Sequence, residues 1–192
     1  MKRSTFLGLC VSALPGLKLI SAEAGNKVPR PAPPLQYELP NGSMESLSKY
    51  RGKVVCVQFL YTTCPHCQVA SQLLSKLNTE YGPRGFQPIG VAFNPMAKVV
   101  VADYVRDYKV NFPVGSTQRE PAMQFLGYSP DERISVPQIV FIDRKGIIRQ
   151  QSRQNNDGET AAEPNLRQMI ELLLKEPAPG SASRKGVKKA AR

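Results

Sequence analysis

The chain has no tryptophan, one histidine and four cysteines among its 192 residues. The single histidine, His66, excludes His-rich metal sites and any catalytic triad that needs a histidine distant from the nucleophile. No apolar run reaches the ~20 residues of a membrane-spanning helix, which excludes a multi-span membrane protein. Neither GxGxxG nor GxxxxGK[ST] occurs, which argues against the common nucleotide-binding frames. A hydrophobic content of 41% with 21% charged residues is typical of a single globular domain.

The formal net charge of +11 is unevenly distributed. The last nine residues carry five basic side chains and no acidic one, so much of the excess lies at the C-terminus. We predict that residues 176–192 form a solvated, disordered basic tail, with weak attraction to anionic polymers or lipids as the alternative. The charge therefore does not predict a specific nucleic-acid partner.

The N-terminus has the pattern of an export signal. Lys2 and Arg3 precede an apolar stretch of about 12 residues, and Ala22-Glu23-Ala24 fits a small-x-small cleavage site. We predict a signal peptide over residues 1–24 and an exported mature chain without a transmembrane span; a fraying amphipathic N-terminus is the alternative. A Pro-rich linker is predicted over 25–34 and the folded domain over 35–175.

Hydrophobic periodicity predicts alternating strands and helices in the middle of the chain. A nearly continuous apolar run at 54–60 is typical of a strand covered on both faces, and from Cys64 the apolar spacing becomes helical. Further strands are predicted at 86–93, 112–114, 134–142 and 147–151, with helices at 97–108, 121–126 and around 166–174. The pattern Thr160-x-x-Glu163 predicts a capping box for the last helix. The fold class is therefore α/β.

The feature that carries chemistry is Cys64-Pro65-His66-Cys67, at the junction of the buried strand and the first helix. Proline is favoured at the first helical position, which places Cys64 at the N-cap. Backbone N–H groups and the helix dipole favour a thiolate there, and His66 adds a nearby proton donor or positive charge. A thiolate is the attacking species in disulfide exchange, and Cys67, one turn along, can close a disulfide with it.

Other roles for these cysteines are less consistent with the sequence. Tetrahedral zinc needs four N or S ligands, and only Cys10, Cys56 and His66 exist beyond the pair. A static disulfide without exchange chemistry is a second alternative. We interpret Cys56 as a small buried core residue. For His66 the alternative to a role in the site is an ordinary solvent-exposed loop histidine, which the sequence does not distinguish.

Residues 35–175 resemble the thioredoxin-fold proteins of the TlpA/ResA type, within the redoxin and alkyl-hydroperoxide-reductase superfamily. The matching segments are Leu39–Ser43, Leu47–Val55, Phe59–Cys67, Phe112–Val114 and Val136–Gly146. The resemblance implies a central mixed sheet flanked by helices, with an N-terminal β extension and a βα insertion. It also implies that Pro137, after Val136, is a cis-proline facing the cysteine pair, where substrate main chain docks.

The implied activity is thiol–disulfide exchange, with Cys64 as nucleophile and Cys67 as the resolving thiol. Pro65, His66, Val136 and Pro137 would support the site. The expected partners are protein or small-molecule disulfides and dithiols and an upstream thiol redox partner. No metal or organic cofactor is expected, because the cysteine pair carries both electrons.

The chain departs from this family pattern at several positions. Thr63 stands where a tryptophan is common before the first cysteine, and Gln58 replaces the buried Asp or Asn of relatives. Its Pro-His dipeptide is that of oxidising DsbA-like proteins, whereas TlpA-like relatives generally reduce, so the direction of electron flow stays open.

Two other functions remain as alternatives. A peroxiredoxin-type peroxidase would need proline and Thr or Ser at the positions of Val57 and Tyr61. A Sco-like copper carrier would need its cysteines one residue further apart and a distant histidine.

Overall fold

A computed structural model of the protein describes residues 27–155 and 158–177. The predicted signal peptide and residues 178–192 of the predicted tail lie outside these ranges. Within them the chain forms eight strands and four α-helices. The strands are β1 (Arg30–Pro31), β2 (Gln36–Glu38), β3 (Met44–Ser46), β4 (Val54–Leu60), β5 (Phe86–Ala92), β6 (Val114–Ser116), β7 (Gln138–Ile142) and β8 (Ile147–Gln151); the helices are α1 (Pro65–Tyr81), α2 (Ala97–Asp107), α3 (Arg119–Leu126) and α4 (Glu163–Leu174).

All eight strands belong to one mixed sheet, in the order β1-β8-β7-β4-β5-β6-β2-β3. β4 is central: it pairs in parallel with β5 and antiparallel with β7. All seven residues of β4 are buried, as its continuous apolar run predicts for a strand covered on both faces. The chain leaves the carboxyl end of β4 towards α1, so the residues of the Cys64–Cys67 segment lie at that edge of the sheet.

Helices cover both faces of the sheet. Apolar residues of α1, α2 and α4 form one buried cluster, which includes Leu74, Val101 and Ile170. α3 and the N-terminal strands pack on the opposite face, with Phe125 and Tyr37 fully buried. The expected central mixed sheet flanked by helices is therefore confirmed.

The N-terminal β extension is a hairpin of β2 and β3. Its turn contains Gly42 at φ 80°, a left-handed conformation that glycine adopts without a Cβ penalty. β2 also pairs with β6 through Glu38 and Ser116, and β6 with α3 forms the βα unit between α2 and β7. β1 pairs with β8, so the sheet begins inside the segment that the sequence predicted as a linker.

The strand predicted over 134–142 begins only at Gln138. The Val136–Pro137 peptide bond is cis, and proline has no N–H to donate to a ladder. Residues 134–137 therefore form a loop instead of a strand. The predicted strand at 112–114 is likewise displaced, because the paired residues are Val114–Ser116.

The predicted capping box of the last helix is wrong. Thr160 lies in a short 3-10 turn, Glu159–Ala161, and the N-cap is Ala162, whose side chain makes no capping hydrogen bond. Pro164 occupies the first turn, where its missing N–H costs nothing. In the described part of the chain, no helix is both long and apolar enough to cross a membrane.

Candidate active site

The two cysteines bracket the first turn of α1. Cys64 is the N-cap, with extended backbone at φ −87° and ψ 117°, and Pro65 is the first helical residue, as predicted. The Cys64 N–H donates to the Tyr61 carbonyl at 3.1 Å, and the Gln68 N–H donates to the Cys64 carbonyl at 3.1 Å. These bonds fix the bend at which the chain turns from β4 into the helix.

The two thiols lie in different environments. Cys67 is fully buried, whereas Cys64 is half-buried, and both are free thiols. Burial raises the pKa of the Cys67 thiol well above its ordinary value, and a hydrogen bond with the Cys64 side chain raises it further; a bond with the Tyr61 backbone opposes this. No acidic residue lies in the first turn of α1.

The loop before β7 closes over the first cysteine. Cys64 Sγ lies 3.8 Å from the Val136 carbonyl oxygen, next to the cis bond to Pro137. The buried Gln138 holds this loop, because its Nε2 donates to the Ser135 carbonyl at 2.7 Å and to the Arg153 carbonyl at 3.0 Å. The structure thus brings the predicted residues Val136 and Pro137 to the cysteine pair across 72 residues of sequence.

A groove of about 340 Å³ runs beside the pair. His66, Val69 and Leu73 of α1 form one side, and Val136 and Pro137 contribute to the other. Val69 is 64% exposed, which is unusual for an apolar side chain. The arrangement leaves room for an extended polypeptide or a small disulfide to approach Cys64.

Behind the pair lies a buried polar network, of which the sequence analysis singled out only Gln58. Gln58 Nε2 donates to the Cys67 carbonyl at 2.8 Å, and Ser71 Oγ donates to Gln58 Oε1 at 2.8 Å. The Tyr104 hydroxyl lies 2.7 Å from Ser71 Oγ and 3.1 Å from the Cys67 carbonyl. Tyr104 belongs to the apolar stripe of α2, so its spacing indicated only a core residue, and no sequence signal separates the two roles.

A second set of contacts holds the segment that precedes Cys64. The Thr62 N–H donates to Asn94 Oδ1 at 3.0 Å, and Gln68 Nε2 donates to the Thr62 carbonyl at 3.1 Å. Arg119 Nη1 donates to the Tyr61 hydroxyl at 3.2 Å, and its Nη2 donates to the Glu132 carbonyl at 2.6 Å. Arg119 therefore links the active-site segment to the loop that leads to Val136.

The predicted site residues come together, and His66 is the most peripheral of them. Val136 and Pro137 line the groove and His66 is exposed on its rim, while Cys64 lies against the Val136 carbonyl and Cys67 is buried one turn along α1. Cys56 is fully buried in β4, and burial raises the pKa of its thiol. Among the described residues, no group of three or more His, Cys, Asp or Glu side chains is placed to hold a metal ion.

Two bacterial proteins of known structure have the same architecture. A provisionally named protein disulfide isomerase of Bacteroides thetaiotaomicron is 30% identical, with a TM-score of 0.61 over 78% of this chain and 91% of that one. A thiol:disulfide interchange protein of Chlorobium tepidum is 22% identical, with a TM-score of 0.63 over 77% of this chain and 98% of that one. Together they confirm the thioredoxin-like fold.

Among curated proteins the chain matches probable glutathione peroxidase 8-B of Xenopus laevis. The two are 34% identical over 98 residues, which is 44% of this chain and 47% of that protein. The chain thus spans about half the length of the curated relatives it matches.

The family model for the AhpC/TSA family matches residues 28–151, which include the cysteine pair, Val136 and Pro137. This range covers the sheet from β1 to β8 and three of the four helices. The predicted family is therefore confirmed: the chain belongs to the AhpC/TSA family.

Proposed function

We propose that this protein is an exported thiol–disulfide oxidoreductase that exchanges disulfides through Cys64 and Cys67. The observation that carries the proposal is the contrast within one helical turn. Cys64 is half-buried at the N-terminus of α1, next to the groove, whereas Cys67 is fully buried one turn along. An accessible nucleophile backed by a shielded second thiol is the arrangement that disulfide exchange needs.

The exchange takes two steps with balanced electrons. The Cys64 thiolate attacks a substrate disulfide; a Cys64–substrate bond forms, the substrate S–S bond breaks, and one substrate sulfur leaves as a thiolate. The Cys67 sulfur then attacks Cys64 Sγ, which releases the second substrate thiol and forms the Cys64–Cys67 disulfide. The substrate gains two electrons and the pair loses two, and an upstream dithiol would restore the pair.

Two features support the docking of substrate beside Cys64. The groove exposes apolar surface on Val69, and the Val136 carbonyl is adjacent to the thiol. Protein disulfides therefore suit this site, and small disulfides fit it equally in size.

Export rests on the sequence of residues 1–24, which lie outside the described residues. A redox-active pair meets disulfides mainly outside the cytoplasm, so an exported location is consistent with the chemistry. N-terminal sequencing of the native protein tests this point: a start near Gly25 is expected, and a cytosolic protein that starts at Met1 would contradict it.

Reduction of insulin disulfides by the purified protein with a dithiol reductant tests the activity. We expect turnover by the native protein and none by Cys64→Ala. Cys56→Ala is the matched control, because this cysteine is buried in β4 away from the groove, and its activity should equal the native one. Activity that survives in Cys64→Ala would overturn the proposal.

The reduction potential of the pair decides the direction of electron flow. A potential of about −270 mV would favour a reductant, and a potential of about −120 mV would favour an oxidant. Equilibration with glutathione buffers, read by mass spectrometry of the alkylated protein, measures it directly.

A thiol peroxidase is the second candidate, and the similarity to the glutathione peroxidases favours it. A peroxidase needs a hydrogen-bond donor near the thiol, to stabilise the oxygen that leaves when the peroxide bond breaks. The polar atom next to Cys64 Sγ is the Val136 carbonyl oxygen, which can only accept a hydrogen bond. Val57, at the position where peroxiredoxins carry proline, is fully buried in β4. If the purified protein consumes hydrogen peroxide faster than it reduces insulin, the peroxidase becomes the favoured function.

A further inference from the structure

The network behind Cys67 has one consistent arrangement of protons. Gln58 uses its amide N–H on the Cys67 carbonyl, so its Oε1 is the acceptor for the Ser71 hydroxyl. Ser71 Oγ can then only accept from Tyr104, whose single proton is shared between Ser71 Oγ and the Cys67 carbonyl. Gln58, Ser71 and Tyr104 lie on β4, α1 and α2, so three elements converge on the backbone of one cysteine.

Every member of this network is uncharged. Glutamine and serine do not ionise, and burial raises the pKa of Tyr104, with the neighbouring Cys67, Cys64 and Tyr108 adding to the shift and a Ser71 hydrogen bond opposing it. Cys56 of β4 lies in the same hydrophobic cluster, and burial keeps it protonated as well. The hydrogen bonds of the three side chains lead to one another and to Cys67, and none of them involves a carboxylate.

We propose that Tyr104, Ser71 and Gln58 are positioning residues for the resolving step, and that Cys67 reacts without a buried acid or base. The inference rests on the proposed function, because it concerns the second step of the same exchange. Gln58 and Tyr104 each donate a hydrogen bond to the Cys67 carbonyl, and Ser71 joins the two donors. The network thereby keeps Cys67 Sγ within reach of Cys64 when a substrate is attached.

The proton balance of the step follows from this arrangement. Cys67 carries a proton before it attacks and has lost it once the Cys64–Cys67 disulfide has formed. An alkyl thiolate that leaves takes up this proton, directly or through solvent, whereas nitrothiobenzoate leaves as the thiolate and the proton passes to solvent. The rate should rise with pH through one ionisation, that of Cys67.

The test is a two-phase reaction of the reduced full chain with 5,5′-dithiobis(2-nitrobenzoate), in a Cys10→Ser background. The first nitrothiobenzoate release reports attack by Cys64, and the second reports resolution by Cys67. We expect Tyr104→Phe to slow the second phase about fivefold, the rate equivalent of one hydrogen bond, and to leave the first phase unchanged. Ser71→Ala should act in the same direction.

Tyr108→Phe is the matched control. Its ring lies 5.0 Å from that of Tyr104, on the same helical face, but its hydroxyl is outside the network. Both phases of this variant should match the native protein. If Tyr104→Phe leaves the second phase unchanged, or slows both phases equally, the positioning role is wrong.

The pH profile supplies a readout that a merely structural role would not change. Between pH 6 and 10 the native second phase should rise about tenfold per pH unit without a plateau, because the pKa of Cys67 is raised. Gln58→Glu should add a bend within this range, because it places a carboxyl group beside Cys67. A native profile that already shows such a bend would overturn the inference. Absence of any second release in the native protein would instead contradict the proposed function, so the two failures are distinguishable.

Discussion

The two ends of β4 handle buried polar groups in opposite ways. At its carboxyl end, Gln58 reaches Cys67 through a network without a formal charge. At its other end the neighbouring strand β7 runs into Asp143, a carboxylate that is only 3% exposed. Asp143 accepts hydrogen bonds from the Lys145 N–H at 2.9 Å and the Ile147 N–H at 3.0 Å.

Asp143 stays charged because these bonds outweigh its burial. Burial alone would raise its pKa, but the Ile147 and Lys145 N–H groups and Arg149, at 3.0 Å, hold the pKa below the ordinary value. The two ends differ in whether a reaction is proposed there. The charged Asp143 stabilises a turn with no proposed reaction, whereas the network at Cys67 adds no formal charge beside a thiol that must lose its proton to react.

Substitution of each cysteine of the pair should have the largest effect. We expect Cys64→Ala to abolish exchange, whereas Cys67→Ala should accumulate mixed disulfides with substrate, because attack continues without resolution. Non-reducing electrophoresis with mass spectrometry measures the adducts. Adducts that accumulate on Cys64→Ala instead would reverse the assigned roles.

Asp143→Asn should separate stability from activity. The free energy of unfolding should fall by about 1–3 kcal/mol, since buried donors lose their charged acceptor, while the rate of disulfide exchange stays unchanged. The stabilisation that the ionised Asp143 gives the native protein is fully present above the unfolded pKa of about 3.9. It is lost as the pH falls through the lower pKa of the folded state. Urea unfolding measures it, with the exposed Asp103→Asn as control; equal stability of both variants would contradict the role of Asp143.

The reduced protein should lose stability at alkaline pH faster than the disulfide form. The folded pKa of Cys67 is raised, so the unfolded thiol ionises first, and stability falls above pH ~8.5 by about 1.4 kcal/mol per pH unit. The disulfide form lacks this contribution, whereas Cys56 and the buried tyrosines contribute to both forms. Urea unfolding of the two forms at pH 8, 9 and 10 tests it; parallel pH slopes would show that Cys67 titrates normally in the fold.

His66→Ala should have the smallest effect, because this side chain is exposed on the rim. Removal of the imidazole takes away a polar neighbour of the cysteine pair, so the disulfide should form more easily, with a shift of about twofold to fivefold in its equilibrium with glutathione. His66→Lys is the control that places a fixed positive charge at this position. An equilibrium that does not move would remove His66 from the chemistry.

Sequence patterns predicted the elements whose signal is local. The apolar run gave β4 its exact bounds, and the placement of Pro65 gave the start of α1 and the N-cap at Cys64. The predictions that failed concern positions where the local pattern competes with the rest of the fold. Ile134 and Val136 precede the apolar residues of β7, but Pro137 has no N–H for the ladder and Gln138 holds the Ser135 carbonyl, so Ile134 is part of a loop.

By itself the sequence predicted which atoms would carry the proposed chemistry, since Cys64 and Cys67 lie one turn apart and the intervening Pro65 marks the helix start. The tertiary structure alone decided which of them is accessible, and it placed Val136 beside Cys64 and Tyr104 behind Cys67. Those contacts join residues 72 and 37 positions apart. Local periodicity specifies a face of a helix or strand, but it does not specify which distant side chain that face meets.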